Sequence, residues 1–196
     1  MKKTALMLAL VLAAAALFGC TPKDKPVEPS GNSEYGCADY YELADTALLL
    51  AQTGNTELMK KLMPKEALDS KTEQFNEREK DYWALLQQDF DNAAAAYTEA
   101  YGEGWKLSYT FTECRDKDGE GVQQYRDYDS FYFEEYGMDP AKIEGASCLY
   151  AKVTASSADG SKSFTKNKNL WVFKYEGRWY SFYMPSFGLK VIEQNS

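Results

Sequence analysis

The chain has 196 residues, 22 of them basic and 30 acidic, which gives a net charge of −8, and it contains no histidine. Because the acidic excess repels phosphate backbones, nucleic acid is not expected as a partner. The absence of histidine removes the most common general base near neutral pH and the most common metal ligand. Catalytic triads built on imidazole are therefore excluded.

The first 19 residues have the pattern of an export signal. Two lysines precede an uncharged stretch over residues 4–18, which is too short to span a bilayer. The motif Leu17-Phe18-Gly19-Cys20 resembles the bacterial lipobox, in which cleavage leaves the cysteine as a lipid-bearing first residue, although Phe18 is larger than the residues usual at its position. The resemblance implies a lipoprotein signal peptide over residues 1–19 and a lipid on Cys20, which would attach the protein to the membrane.

Residues 20–36 are predicted to form a flexible tether. The segment TPKDKPVEPSGNSEYG contains three prolines, two glycines and no apolar periodicity, a composition typical of a solvated spacer. Without the two lysines of the signal, the mature chain keeps 20 basic and 30 acidic residues, a net charge of −10. Thr21 is not the aspartate that would indicate retention at an inner membrane. We therefore expect lipid anchoring at the extracytoplasmic face of the cell membrane, or at the outer membrane of a cell with two membranes.

The remaining segments, residues 37–196, predict one α+β domain. Apolar residues recur at helical spacing over residues 39–52, in TELMKKLM and over residues 77–101. WKLSYTFTEC alternates apolar and polar residues as a strand does, residues 123–137 resemble a short helix, and residues 143–156 alternate again. NLWVFKY and RWYSFYM are joined by Glu176-Gly177, a hairpin signal. Helices followed mainly by antiparallel strands indicate the α+β class.

Three segments carry a resemblance to a known family: AAYTEAYGEGWKLSYTF, FEEYGMDPAKIEGASCLYAKVTA and LWVFKYEGRWYSF. Together they resemble the NTF2-like (cystatin-like) domains of small bacterial lipoproteins, in which helices ending in Tyr-Gly lead into strands and a Gly-x-Trp hairpin closes the sheet. The resemblance implies N-terminal helices packed in a strongly bent antiparallel sheet, a cone with a pocket at its open end. Members of the family include enzymes, ligand binders and accessory modules, so the fold does not decide the function.

The chain is rich in aromatic residues, with 15 tyrosines, 10 phenylalanines and 4 tryptophans, and several of them fall on both faces of the predicted strands. These rings either line a pocket for an apolar or sugar-like ligand or fill the core, and the sequence favours core filling. The candidates for a pocket lining are Tyr97, Tyr109, Phe111, Trp171, Phe173 and Trp179.

The segment DKDGEGVQQYRD, residues 116–127, has the spacing of a calcium-binding loop. Asp116, Asp118, Glu120 and Asp127 stand at ligand positions of that loop, with a glycine at the turn. Asp127 is shorter than the usual glutamate, and Gln123 occupies a position that is normally apolar. The sequence therefore favours a solvated turn. Phosphate-binding glycine loops and zinc-binding cysteine spacings are also absent from the sequence, and no cofactor is predicted.

Three cysteines remain after Cys20, and export makes a disulfide plausible. Cys114 and Cys148 lie on predicted strands, each on the face opposite the main apolar residues. If the strands are neighbours, a Cys114–Cys148 bridge is favoured over two separate thiols. Cys37 would then remain unpaired.

Two functional hypotheses follow. The leading one is a non-enzymatic, lipid-anchored module at the cell envelope that binds a small ligand, a wall component or an envelope protein. The alternative is a pocket enzyme of the same fold that uses an Asp, Glu or Tyr as acid or base. A buried carboxyl group with a raised pKa at the floor of a pocket would favour the enzyme. A core filled by its own rings would favour binding at the surface.

Overall fold

The computed structural model describes residues 33–117, 119–128, 130–183 and 186–192. The predicted signal peptide, Cys20, Asp118 and residues 20–32 of the predicted tether lie outside these ranges. Within the described ranges, no helix is both long and apolar enough to cross a bilayer.

The first half of the described chain is helical. It contains α1 (Tyr40–Thr53), a 3-10 turn (Thr56–Leu58), α2 (Met59–Leu62), α3 (Lys65–Asn76) and α4 (Tyr82–Tyr101). The Asp39 carboxylate accepts hydrogen bonds from the first backbone N–H groups of α1, and Asp81 does the same for α4. This cap explains why α4 begins at Tyr82 and not at residue 77, where the sequence pattern placed it. The sequence did not predict α3.

The second half forms the sheet and two short helices. These elements are β1 (Lys106–Lys117), α5 (Gly119–Tyr128), α6 (Ser130–Glu135), a 3-10 turn (Pro140–Lys142), β2 (Ile143–Ser156), β3 (Ser163–Tyr175) and β4 (Arg178–Tyr180). The four strands follow the order β1-β2-β3-β4, and all neighbours are antiparallel. The predicted α+β class and the hairpin at Glu176-Gly177 are confirmed. The sheet is not strongly curled, so the strong bend implied by the family resemblance is not found.

A β-bulge divides β1 into two parts that face opposite ways. Phe111 lies opposite Ala151, whereas Glu113 lies opposite Tyr150, so Thr112 is an extra residue on β1. Since side chains alternate along a strand, one extra residue moves every later side chain of β1 to the other face.

The bulge separates the two cysteines that were predicted to pair. Cys114 lies opposite Leu149, and Cys148 lies opposite Arg115, so the two cysteines belong to different faces of the sheet. Cys148 is a free, buried thiol. The predicted Cys114–Cys148 bridge is therefore not formed. Without the extra residue the two cysteines would lie directly opposite each other.

Helices cover both faces of the sheet, but at different places. On one face, Tyr40 of α1 meets the ring of Phe111 edge-on, with 6.1 Å between centroids. On the opposite face, Tyr125 of α5 stacks on Trp171 and Phe173, each with 5.8 Å between centroids. Aromatic rings therefore pack on both faces of the sheet, within a core that also contains many aliphatic side chains.

The C-terminal strap, defined as residues 186–192, packs against the helices. The hydroxyl of Tyr97 donates a hydrogen bond to the carbonyl oxygen of Gly188 (2.7 Å) and accepts one from the backbone N–H of Val191 (2.9 Å). Phe187 and Val191 are buried. A side chain on Gly188 would collide with Ala51, because its Cβ would lie 2.6 Å from the Cβ of Ala51. The strap is thus an integral part of the core.

The described chain enters the fold beside β4. The backbone of Cys37 exchanges two hydrogen bonds with Trp179, of 3.2 and 2.9 Å, and the N–H of Gly36 donates to the carbonyl oxygen of Lys60 (3.0 Å). Gly36 has a φ of 73°, which disfavours other residues, and a Cβ there would lie 2.6 Å from the ring of Tyr180. The connection between the N-terminal segment and the domain is therefore closely packed.

Candidate functional site

The six aromatic residues predicted to line a pocket are divided between different parts of the core. Trp171 and Phe173 lie under α5, on the face away from α1. Phe111 and Trp179 lie on the α1 face, and both contact Tyr40. The remaining two are Tyr97, which binds the strap, and Tyr109, which contacts Phe111 with 4.9 Å between centroids. The structure therefore does not bring these six side chains together around one cavity.

Tyr109 lies beside a shallow groove between α1 and β1. This groove has a volume of 400 Å³ and is lined by Asp45, Leu48, Leu49, Gln52, Leu107, Ser108 and Tyr109. Burial, followed by the charge of Asp45 and a hydrogen bond to its carboxylate, raises the pKa of Tyr109 well above its usual range. The phenol therefore stays protonated at neutral pH, where it can donate a hydrogen bond but cannot act as a base.

The predicted calcium loop does not have the structure of a loop. Asp116 lies at the end of β1, whereas Glu120 and Asp127 lie on α5, and the amide of Gln123 donates to Asp127 (2.8 Å). Asp118 lies outside the described residues. In the described part of the chain, no three Asp, Glu or Cys side chains converge in a way that could hold a metal ion. The solvated turn that the sequence favoured is not found either, because the chain forms the helix α5 from Gly119 onwards.

A second groove lies between α3, the start of α4 and the N-terminal segment, and we call it the α3–α4 groove. Its volume is 480 Å³, and it is lined by Tyr35, Lys60, Leu68, Asp69, Thr72, Glu73, Asn76, Glu77 and Trp83. The lining combines two aromatic rings, one buried leucine and three carboxylates. No sequence motif indicated this groove.

Three of the lining carboxylates form a row along α3. Asp69 and Glu73 lie four residues apart on α3, and Glu77 directly follows its last residue, Asn76, in helical backbone geometry, so the three lie on one side. Lys65 pairs with Asp69. The carboxylates of Glu73 and Glu77 form no ion pair with any described residue.

The other wall of the groove combines an aromatic ring with a neutralised lysine. Trp83 is half-buried, and its ring lies 5.3 Å from that of Tyr82. The ammonium group of Lys60 pairs with Glu57 (2.8 Å) and Glu34 (3.3 Å). Because these carboxylates already compensate the charge of Lys60, it does not offset the charge of the row.

Comparison of the chain with models of known protein families, with curated proteins and with solved structures finds no match. The NTF2-like resemblance therefore remains a prediction, and the function must be argued from the residues of this chain.

The reactivity of the buried thiols of Cys37 and Cys148 can be measured, and the pairing state of Cys148 tests the register of β1 and β2. Cys37 and Cys148 are both buried and free, and burial raises the pKa of Cys37 to about 12. Since only the thiolate reacts with alkylating reagents, we expect both cysteines to react with iodoacetamide far more slowly in the native protein than after unfolding. Peptide mass spectrometry after labelling measures this difference. A Cys114–Cys148 cross-linked peptide in a non-reducing digest would contradict the register.

Proposed function

We propose that the chain is a lipoprotein of the bacterial cell envelope, attached through a lipid on Cys20 and displaying an NTF2-like binding module on the extracytoplasmic side of the membrane. The observation that carries this proposal is the uncharged run over residues 4–18, which ends at Gly19-Cys20 and is followed at once by a proline-rich spacer. Each buried acyl CH₂ contributes about 0.8 kcal/mol, so two or three chains hold a domain firmly on a bilayer.

The packing of the aromatic rings in the core favours binding at the surface over catalysis in a central pocket. The rings proposed for a pocket pack on both sides of the sheet, where they stabilise the core. Tyr109 borders a groove, but its raised pKa makes it a hydrogen-bond donor and not a base. The grooves described above are shallow and open. We therefore propose that the module recognises a ligand, a wall component or an envelope protein without transforming it.

The test of the anchor is the mass of the mature N-terminus. The full chain is expressed in a bacterium and fractionated, and its N-terminal peptide is analysed by mass spectrometry. We expect this peptide to begin at Cys20 and to carry a diacylglyceryl group, and we expect the protein to sediment with membranes. Cys20→Ser should abolish the modification and leave residues 1–19 attached.

A matched control comes from Cys148→Ser, which removes a different sulfur and should leave lipidation and membrane association unchanged. If the wild-type protein carries an unmodified Cys20, or retains residues 1–19, the proposed anchor is wrong.

A further inference from the structure

We infer that one corner of the sheet, on the face that packs against α1, binds a small quaternary ammonium ion that carries a hydroxyl group, as choline does. We call this place the aromatic corner, and it is formed by Tyr40, Phe111, Trp179, Asp116 and Ser147. The inference rests on the binding module proposed above and gives that module a ligand class.

Three half-buried rings meet at right angles in the aromatic corner. The ring of Tyr40 lies 5.5 Å from that of Trp179, with 88° between the planes, and 6.1 Å from that of Phe111, with 81° between the planes. Each of the three side chains keeps part of its surface exposed. The faces of aromatic rings attract cations, and tryptophan does so most strongly. Rings at right angles can contact the methyl groups of a quaternary ammonium ion from more than one side.

A carboxylate without an ion pair lies close to these rings. Asp116 is exposed near the end of β1, and the ion pairs among the described residues do not include it. Burial, followed by the charge of Asp116, raises the pKa of Tyr40 to about 12. The negative charge is therefore near the phenol, and a cation held by the rings would also be attracted by Asp116.

A buried hydroxyl group without a partner points to a ligand at the same place. Ser147 lies directly opposite Asp116 in the pairing of β1 with β2, so the two side chains share a face of the sheet. This is the α1 face, because Ser147 is four residues from Ala151, the partner of Phe111. Ser147 is fully buried, and its hydroxyl makes no hydrogen bond with any described residue. Since native proteins rarely bury an unpaired hydroxyl, a ligand hydroxyl is expected to supply the missing hydrogen bond.

Gly145 leaves room beside the hydroxyl of Ser147. The two residues are two positions apart on β2 and therefore share a face. A Cβ on Gly145 would lie 3.8 Å from the Cβ of Lys174 and 4.0 Å from the indole of Trp179, which are ordinary contact distances. The position above Gly145 is thus open and lies between Ser147 and Trp179. A ligand can place its ammonium group against the rings and its hydroxyl group at this position.

Isothermal titration calorimetry of the full chain with choline tests the inference. We expect choline to bind about ten-fold more tightly than dimethylbutanol, which has the same shape without the charge. Asp116→Asn and Trp179→Phe should each weaken choline binding about five-fold. Asp89→Asn changes the same chemical group at an exposed position of α4, and it should leave the affinity unchanged.

Two further variants test the buried hydroxyl and are expected to fold normally. Ser147→Ala removes a group that has no described partner, so its melting temperature without ligand should equal or exceed that of the wild type. It should weaken the binding of choline about five-fold and leave that of tetramethylammonium, which has no hydroxyl, unchanged. Gly145→Ala adds a methyl group at ordinary contact distances and should weaken choline binding without lowering the melting temperature.

Several results would overturn the inference. These are the absence of choline binding, equal binding of dimethylbutanol and choline, an equal loss of affinity in Asp89→Asn and Asp116→Asn, and an unchanged affinity for choline in Ser147→Ala. Phosphatidylcholine vesicles present the same ammonium group with its hydroxyl esterified, and competition by them would also contradict the role of Ser147. Cys20→Ser should bind choline as the wild type does, so failure of the anchor and failure of the aromatic corner would be distinguished.

Discussion

Replacing Tyr97 with phenylalanine is expected to lower the free energy of unfolding by about 2–4 kcal/mol, because each buried polar group left without a partner costs roughly 1–3 kcal/mol. The substitution removes one oxygen that satisfies two backbone groups, the carbonyl of Gly188 and the N–H of Val191. Both groups are buried in the C-terminal strap, where water does not replace the lost partner. Urea denaturation followed by circular dichroism measures the change.

Tyr132→Phe serves as the matched control. It removes the same atom from a half-buried ring, and the hydroxyl of Tyr132 makes no hydrogen bond with any described residue. We expect its effect to stay within about 0.5 kcal/mol, as is usual for substitutions at positions without special contacts. Equal unfolding midpoints for the two variants would show that the strap is not held as described.

The second large effect is expected at alkaline pH. Tyr97, Tyr136 and Tyr180 are all buried, and burial raises the pKa of each to about 12, from an ordinary value of 10.0. Between these values an unfolded tyrosine has lost its proton while the folded one keeps it, so unfolding releases protons. The stabilisation is therefore complete below about pH 10 and is lost as the pH rises to about 12, by about 1.4 kcal/mol for each tyrosine and each pH unit.

Ultraviolet absorbance of tyrosinate, recorded together with circular dichroism during a pH titration, tests this expectation. Tyrosinate from the buried rings should appear in the same transition in which the secondary structure is lost. Tyr136→Phe should make the loss of stability with pH less steep, because one fewer proton is released on unfolding. If Tyr97, Tyr136 and Tyr180 ionise near pH 10 together with the other tyrosines while the protein stays folded, the burial described for these rings is wrong.

The sequence predicted those elements whose pattern lies within a few neighbouring residues. The alternation over residues 143–156 predicted β2 with its observed bounds, and Glu176-Gly177 predicted the turn between β3 and β4. The alternation of side chains is sufficient to predict the strand, and the conformational preference of two residues is sufficient to predict the turn. The predicted α+β class follows from these elements.

Two features could not be predicted because their causes lie elsewhere in the chain. In α3 only Ala67 and Leu68 are buried, so the segment lacks the apolar stripe that identifies a helix, and packing against its neighbours decides its structure. The bulge at Thr112 is visible only in the pairing of β1 with β2. The missed α3 also concealed the row from Asp69 to Glu77, because the row exists only when that segment is helical.

The entry of the chain beside β4 has a mechanical consequence. If a lipid holds Cys20, tension on the domain arrives through Gly36 and Cys37. It loads first the hydrogen bond from Gly36 to Lys60 and then the two hydrogen bonds between Cys37 and Trp179. Trp179 belongs to a strand of only three residues, Arg178–Tyr180, so this force acts on the shortest strand of the sheet. Under load, β4 should detach from β3 before the long pairing of β2 with β3 is disturbed. The hairpin of β3 and β4 is therefore expected to be the first part of the anchored domain to unfold.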